Sequence, residues 1–388
     1  MPLPRPRPPR YETAGLARLL PDAVAALNGG TTDLLAWPDR PRAVIVLVLD
    51  GLGRHQLDEH ADVAPWLAQA PGPTLDATFP TTTASALTSL GTGRPPGEHG
   101  IVGFAMRAPH RPRMLVTLTW SWDRYEPVTD ARADAVPESI QPLTTVFDRL
   151  RPTAVRPVAV LRPEFIGSGL TRAAFRGADQ VPAVGLQDTL AAARDAVTAG
   201  GQALVYAHHG DIDQAGHAAG PGSEPWCDAL AAADTALQQF VVDLPPDVAL
   251  GVTADHGMVA TPTDRLTDVR DHPDLAAGIE WFAGEPRARQ LHARDGATAD
   301  VAAAWRELLG DDACVVLRDE AIDAGWFGAV VSPAARRSIG DVIVTATGDG
   351  FGVVHGDLDP FGGRLPGQHG ALTPAEVEVP ALLLTRSG

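Results

Sequence analysis

The sequence alternates short apolar runs with amphipathic helical stretches, and this alternation constrains the fold more than any other feature. Stretches 186–198 and 224–242 have apolar residues at helical spacing, which predicts two helices. Strands that alternate with helices favour an α/β fold, with a mostly parallel central sheet and helices on both faces. The runs that predict buried strands are Ala43–Leu49, Leu115–Thr119, Ala203–Ala207, Ala249–Thr253, Val342–Thr345 and Ala381–Thr385.

The length of 388 residues, with 45% apolar residues, is sufficient for one large α/β domain. We therefore predict a single domain over residues 1–388. The stretch 261–340 is more irregular and rich in Arg, Asp and Gly, and we predict that it forms a small inserted subdomain covering part of the site.

Charge and composition exclude several classes of function. A net charge of -17 argues against binding a nucleic-acid polymer, which needs a broad basic surface. Arginine supplies all 31 basic residues, so Schiff-base chemistry and lysine-dependent phosphate loops are excluded. The two cysteines do not form a disulfide framework pattern. Because no signal peptide or long apolar span is apparent, we expect a soluble cytoplasmic protein with no membrane partner.

Acidic and histidine residues follow the predicted strands directly, where α/β sheets bind ligands. Any one of these motifs alone is also typical of a cap, a turn or an exposed loop. Together they form two sets of three metal-ligand side chains, which suits zinc or a similar divalent ion. The residues are Asp50 after the first run, Asp213 and His217 after the third, Asp255 and His256 after the fourth, and His369 between glycines.

A proline followed by three threonines predicts the start of a helix at Phe79-Pro80-Thr81-Thr82-Thr83. A hydroxyl in the first helical turn lies where free N–H groups and the helix dipole stabilise an anion. Such a hydroxyl beside two metal ions, about 4 Å apart, is typical of phosphoryl transfer. The alternative interpretation is simple N-capping by one of the threonines.

The order of these motifs resembles the alkaline phosphatase superfamily, and within it the type I phosphodiesterase/nucleotide pyrophosphatase branch. The similarity extends from Asp50 to His369 and includes Thr92-Gly93 and His99-Gly100. It implies an alkaline phosphatase-like fold and a phosphodiesterase that forms a phosphothreonine intermediate. The implied substrate is a small phosphate ester, such as a nucleotide or another phosphodiester.

The resemblance also implies a role for each motif. The second threonine of the family's Phe-Pro-Thr-x-Thr segment is the nucleophile, which corresponds to Thr83. Two divalent ions are implied, zinc being usual and manganese the alternative. One ion would be held by Asp213, His217 and His369, and the other by Asp50, Asp255, His256 and Thr83.

Two departures from the family pattern affect the substrate. Phe104 stands where the family often has an asparagine that binds a phosphate oxygen, and Arg107 follows closely. Thr82 replaces a lysine that is common between the two threonines. We hypothesise that Phe104, Arg107 and His209 contact substrate, and that His208 also faces it.

Several other functions are alternatives to the phosphodiesterase. A phosphomonoesterase with the same site is the main alternative, since an arginine such as Arg107 could bind the additional free oxygen. A non-catalytic metal-binding protein would have no use for a hydroxyl beside six candidate ligands. Sulfatases need a cysteine or serine nucleophile, and cofactor-independent phosphoglycerate mutases use serine and lysine, which this sequence does not offer at these positions.

Overall fold

The computed structural model describes residues 6–122, 129–359 and 363–385. Strands and helices are numbered in chain order. The largest sheet has seven strands. In the order in which they lie in the sheet they are β2 (Thr74–Asp76), β17 (Glu378–Leu384), β8 (Val248–Thr253), β1 (Ala43–Leu49), β7 (Gln202–His209), β5 (Val155–Leu161) and β6 (Asp179–Pro182).

This central sheet is parallel from β8 to β6. Strand β17 pairs antiparallel with both β8 and β2, which makes one edge of the sheet antiparallel. Every residue of β1 is buried. Because successive side chains of a strand point to opposite faces, this burial means that both faces of the sheet are covered. The predicted α/β class with a mostly parallel sheet is confirmed.

Helices cover the sheet, and two of them carry residues of the predicted site, one beginning at Thr83 and the other containing Asp213 and His217. Among the described residues, no helix combines the length and the apolar character that a membrane span requires. The helices are α1 (Tyr11–Ala14), α2 (Leu19–Leu27), α3 (Arg54–Glu59), α4 (Pro65–Gln69), α5 (Thr83–Thr92), α6 (Pro96–His99), α7 (Pro137–Ile140), α8 (Val146–Leu150), α9 (Gly169–Phe175), α10 (Gly185–Thr198), α11 (Asp211–Ala219), α12 (Glu224–Asp243), α13 (Pro273–Ala276), α14 (Thr298–Leu309), α15 (Arg318–Asp323), α16 (Pro333–Ser338) and α17 (Pro374–Val377).

A second, antiparallel sheet has four strands, in the order β11 (Ile279–Glu285), β12 (Ala288–Ala293), β14 (Val342–Ala346) and β13 (Ala313–Leu317). Helix α14 packs against β13 and β14, and Trp305 of this helix is fully buried in a separate apolar cluster. This smaller sheet overlaps the segment 261–340; that the segment forms a subdomain stays a prediction.

Three two-stranded pairs complete the described strands. The pair of β9 and β16 matters most for the site, because it leads directly into His369. The pairs are β3 (Ala105–Arg107) with β4 (Met114–Val116), β9 (Val259–Ala260) with β16 (Gly367–Gln368), and β10 (Leu266–Asp268) with β15 (Gly352–Val354).

Most predicted strands and both predicted helices are present, with two differences. The strand expected at 115–119 is shorter, because the chain turns after Val116 and residues 117–120 form the turn. The run 342–345 is a strand, β14, but it belongs to the smaller antiparallel sheet. The pattern did not predict β5, which contains Pro157, a residue that weakens a strand signal.

Candidate active site

The carboxyl ends of three neighbouring parallel strands bring the acidic residues together. Asp50 follows β1 directly, and its backbone N–H donates to the carbonyl of His209 at the end of β7, at 2.9 Å. Asp255 and His256 follow β8, which lies on the other side of β1. Gly51 has a φ of +76°, and a Cβ there would lie 2.9 Å from the Cα of Asp213. Glycine therefore allows the end of β1 to approach helix α11.

Two histidines face each other through their Nε2 atoms, 3.3 Å apart. The Nδ1 of His217 donates to the carbonyl of Gly367 at 2.9 Å, and the Nδ1 of His369 donates to the carbonyl of Thr81 at 2.6 Å. These bonds fix the tautomers, because each Nδ1 must carry a proton. The Nε2 lone pairs then point at each other, and the Nε2 of His217 lies 3.5 Å from Oδ1 of Asp213.

A second group of side chains surrounds His256. Its Nδ1 is 3.1 Å from the carbonyl of Gly257. Its Nε2 lies 3.5 Å from Oδ2 of Asp255 and 3.7 Å from Oδ1 of Asp50. The other oxygen of Asp255 accepts backbone N–H groups from Gly51 and His256, at 3.2 and 3.1 Å. Asp255 is thus oriented by the backbone, with one oxygen directed at the imidazole.

Three buried carboxylate oxygens at this place have no hydrogen-bond partner, namely Oδ1 of Asp50, Oδ1 of Asp213 and Oδ2 of Asp255. Buried polar atoms without a partner are costly, and carboxylate oxygens beside imidazole nitrogens are the ligands that divalent metals use. The residues present therefore fit a metal centre.

The pKa shifts of these carboxyl and imidazole groups also fit a metal centre. Burial, together with the carboxylates of Asp255 and Asp213, raises the pKa of Asp50 well above its usual range. Burial also raises the pKa of Asp213. Burial and the neighbouring imidazoles of His256 and His217 hold the pKa of His369 well below its usual value. Crowded carboxylates stay ionised here only if a cation compensates them.

The described side chains include two groups of three whose ligand atoms all lie within 4.8 Å of one another. One group is Asp213, His217 and His369, as the sequence predicted. The other joins Asp50 and His256 with Asp213, whereas the sequence assigned Asp255 to that set. Asp213 therefore lies between two adjacent candidate metal-binding groups, and Asp255 borders the second through His256.

Thr83 is the first residue of α5, and Thr82 is its N-cap. The Oγ1 of Thr83 lies 3.2 Å from Nε2 of His256, so this hydroxyl adjoins the second group. The Oγ1 of Thr81 is occupied elsewhere, because it donates to the carbonyl of Ala371 at 3.0 Å and accepts from the N–H of Gly370 at 2.8 Å. Thr83 is thus the threonine whose hydroxyl faces the metal-binding side chains.

A cavity of about 210 Å³ opens beside Thr83 and Asp50. Phe104, Arg107 and His209, the hypothesised substrate contacts, are not among its lining residues. Arg107 lies at the end of β3 and lines a different cavity. The other residues around the opening combine leucine and phenylalanine side chains with polar ones and include one arginine: Leu87, Leu118, Leu161, Arg162, Phe165, Ser168, Leu170, Thr171, Phe175, His208, Gly210, Asp213 and Gln214.

His208 lines this cavity, and its Nε2 lies 2.9 Å from Oδ2 of Asp50. His209 instead lies 3.3 Å from the carboxylate of Asp211. Side chains alternate along β7, so adjacent histidines cannot face the same side. Burial lowers the pKa of His208 to about 4, and the neutral ring therefore donates its Nε2–H to Asp50 at neutral pH. Strand alternation was the signal that could have separated the two histidines.

The sequence was also compared with known proteins. A model of the family described as type I phosphodiesterase / nucleotide pyrophosphatase matches residues 44–372. The chain belongs to this family. The resemblance found in the motifs is thereby confirmed, and membership in the type I phosphodiesterase family indicates a phosphoester hydrolase. No curated protein matched the sequence.

Solved structures with the same fold include further members of the alkaline phosphatase superfamily. Murine ectonucleotide pyrophosphatase/phosphodiesterase 5, an inactive variant in complex with AMP, is 16% identical with a TM-score of 0.68, covering 88% of each chain. The human protein is 17% identical with a TM-score of 0.67, covering 88% of this chain and 87% of its own. Phosphonoacetate hydrolase from Sinorhizobium meliloti 1021, with phosphonoformate, is 19% identical with a TM-score of 0.65, covering 88% and 90%. At these identities the likeness of this phosphodiesterase-family chain to them concerns the fold.

Proposed function

We propose that this protein is a two-metal phosphodiesterase/nucleotide pyrophosphatase that acts through a phosphothreonine intermediate on Thr83. One observation carries the proposal. Three buried carboxylate oxygens without partners, and the Nε2 atoms of three histidines, converge beside a hydroxyl at the start of a helix. This combination serves a nucleophile and a cation centre together, which a purely structural metal site would not need.

The ligand set is divided between two adjacent positions. Asp213, His217 and His369 would hold one ion, while Asp50, Asp255 and His256, with Thr83, would hold the other, and Asp213 lies near enough to Asp50 and His256 to serve both. Mixed imidazole nitrogens and carboxylate oxygens suit zinc, with manganese as the alternative. When bound, the two ions supply positive charge that stabilises the attacking and leaving oxygens.

Thr83 reacts as its alkoxide after releasing its proton to solvent. The free N–H groups and the dipole of the ten-residue helix α5 favour negative charge at this position. The Oγ1–phosphorus bond forms as the bond from phosphorus to the leaving oxygen breaks, and the leaving group takes a proton from solvent and departs as an alcohol. Water then attacks phosphorus, which releases the phosphate product and restores the threonine hydroxyl. His208 holds Asp50 in one orientation throughout, through its Nε2–H.

The cavity beside Thr83 supports a diester as substrate. Its lining includes six large apolar side chains, and Arg162 is the single arginine among its described lining residues. The Nε of Arg162 already donates to Glu164 at 2.6 Å. A monoester has an additional free phosphate oxygen that needs positive partners, whereas a diester places an organic group there. The AMP bound to the murine relative makes a nucleotide-containing diester a suitable first substrate to test.

The test compares bis-p-nitrophenyl phosphate with p-nitrophenyl phosphate, using purified protein loaded with zinc or manganese. We expect preferential hydrolysis of the diester, and loss of activity after chelation that is reversed when metal is added back. Rapid quenching with a labelled diester should trap the phosphoryl group on Thr83. Preference for the monoester would assign the same site to a phosphatase. Activity that persists without metal would overturn the two-metal proposal.

A further inference from the structure

A second cavity, of about 420 Å³, lies at the far end of the smaller sheet and is lined mainly by charged side chains. It shares no lining residue with the cavity beside Thr83. Strand β12 begins near the loop of His369, because Ala288 borders Gly370. His292, four residues further along β12, lines the second cavity, which places it roughly 13 Å away at 3.3 Å per residue. The two cavities are therefore separate places on the molecule.

The lining is unusually positive for a protein of net charge -17. Arg318 donates to Oδ1 of Asp341 at 2.5 Å and to the carbonyl of Ile339 at 3.1 Å. Its guanidinium is therefore fixed, while its buried Nε has no hydrogen-bond partner. The lining includes five arginines and three carboxylates, namely Arg107, Arg294, Arg318, Arg336 and Arg337 with Glu280, Asp295 and Asp341.

Three of these arginines are not engaged in ion pairs with the described residues. Within the described ranges, no ion pair is formed by Arg107, Arg294 or Arg337, although Nε of Arg337 donates to the carbonyl of Pro109 at 3.2 Å. They come from three different elements, which are β3, the segment after β12, and α16. Guanidinium groups that approach one space from several directions suit an anion with several oxygens.

His292 adds a buried neutral imidazole to the lining of the same cavity. Its side chain is 96% buried, since only 4% of it is exposed, and its Nε2 has no hydrogen-bond partner. Burial lowers its pKa to about 4, while the Asp341 carboxylate raises it and the charges of Arg107 and Arg318 lower it. The ring is therefore neutral near pH 7. A buried ring nitrogen without a partner is costly unless a ligand or water satisfies it.

We propose that this cavity is a binding site for a small phosphate-bearing anion, separate from the candidate active site. A carboxylate presents two oxygens, which one guanidinium fork can satisfy. A phosphate monoester presents three free oxygens, and these match three unpaired arginines, with a further donor from His292 in its Nε2–H tautomer. The remaining volume accommodates the organic group that carries the phosphate.

Equilibrium dialysis of the metal-loaded protein with labelled inorganic phosphate, at constant ionic strength, tests this site. The test variant is Arg107→Gln with Arg294→Gln. The matched control is Arg132→Gln with Arg151→Gln, which removes two arginines paired with Asp130 and Asp179 elsewhere on the surface. The number of phosphates bound per chain is compared between variants. Phosphate bound at the metal centre contributes equally to each of them, because the variants keep all of the proposed metal ligands.

We expect the test variant to bind one phosphate fewer per chain, or to bind that phosphate at least tenfold more weakly. The control should equal wild type. His292→Leu, which changes no charge near pH 7, should weaken the same site several-fold. Sulfate should compete and acetate at equal concentration should not. The proposal would be overturned if wild type and the test variant bound phosphate equally. It would also be overturned if the control variant lost as much binding as the test variant, or if acetate competed as well as sulfate.

Discussion

The hydroxyl oxygen of Thr83 lies 3.2 Å from the Nε2 of His256, whereas the hydroxyl of Thr81 is bonded on both sides to the loop that follows His369. Three consecutive threonines thus have different surroundings. Thr81 holds the loop, Thr82 occupies the N-cap position of helix α5 without a side-chain cap bond, and Thr83 presents its oxygen to the candidate metal-binding side chains.

Replacing Thr83 with alanine should remove turnover. We expect a loss of about 10³-fold or more in kcat, because no oxygen remains to attack phosphorus. Zinc content, measured by mass spectrometry, should change little. Thr82→Ala is the matched control, since it removes the neighbouring hydroxyl, which makes no side-chain cap bond. An active Thr83→Ala protein would exclude Thr83 as the nucleophile.

Asp213→Asn should weaken binding of both metal ions, because Asp213 belongs to both metal-binding groups. His217→Gln should weaken one of them, because His217 belongs to one group. Titration with a metal indicator reports the two affinities separately. Asp211→Asn, an exposed position on the same helix, provides the control and should retain both ions. Equal effects of Asp213→Asn and His217→Gln would contradict a shared role for Asp213.

His208→Leu should lower kcat/KM by about 10- to 100-fold, the usual effect of removing a residue that orients a metal ligand. The physical reason is the lost hydrogen bond to Oδ2 of Asp50. His208→Gln keeps a donor and should recover part of the activity. His209→Leu, at the next position, should have a smaller effect because that ring does not line the cavity. A larger loss in His209→Leu would favour the original hypothesis for His209.

His99 should make the fold sensitive to acid. Its ring is fully buried, with Nε2 2.8 Å from Oγ of Ser89 and Nδ1 accepting from the N–H of Ile101 at 3.1 Å. Burial lowers its pKa to about 3, against 6.5 when unfolded. The unfolded chain therefore binds the extra proton first, so stability is retained above pH 6.5 and lost progressively as pH falls towards 3.

The measurement is the free energy of unfolding of the chelated protein between pH 7 and pH 4. This group contributes a slope of up to about 1.4 kcal/mol per pH unit in that range. His99→Gln should have a shallower slope than wild type. Identical slopes in the two proteins would show that His99 is not held neutral by the fold.

Much of the site was predictable because its members follow the ends of apolar runs. Asp50 and Asp255 lie just beyond β1 and β8, and parallel strands bring their carboxyl ends to one edge of the sheet. The position of His369 could not be obtained in this way. It depends on the pairing of β16 with β9 and on the bond to Thr81, which are contacts between distant segments.

The rest of the fold was less predictable for the same reason. The run 342–345 has the composition of a buried strand, but composition does not say which sheet it joins. Likewise, Arg107 was close to the family motif in sequence, yet β3 directs it to another cavity. A residue that is close to a motif in sequence is not necessarily close to it in space, because a short strand can carry the chain away from the site.

Arg287 is expected to stabilise the fold through a buried ion pair with Glu376. Its Nε and Nη2 donate to the two carboxylate oxygens of Glu376, both at 2.8 Å, and both side chains are fully buried. Arg287→Met leaves an unpaired buried charge, and should destabilise the fold by about 3–5 kcal/mol. Adding Glu376→Gln should recover part of this loss in denaturant unfolding. No recovery would mean that the arginine acts mainly through its bonds to the carbonyls of Phe351 and Gly348.

The hairpin of β11 and β12 touches the metal-binding loop at two points. Glu285 lies 3.5 Å from the ring of His369, and Arg287 joins the hairpin to Glu376, whose carboxylate also accepts the N–H of Ala371. Gly370 is needed there, because a Cβ would lie 2.9 Å from the side chain of Glu285. By thermodynamic linkage, an ion held by His369 would stabilise the smaller sheet, and loosening that sheet would promote release of the ion. Substitutions in the smaller sheet, which supplies none of the proposed ligands, would therefore change how tightly the ion is held.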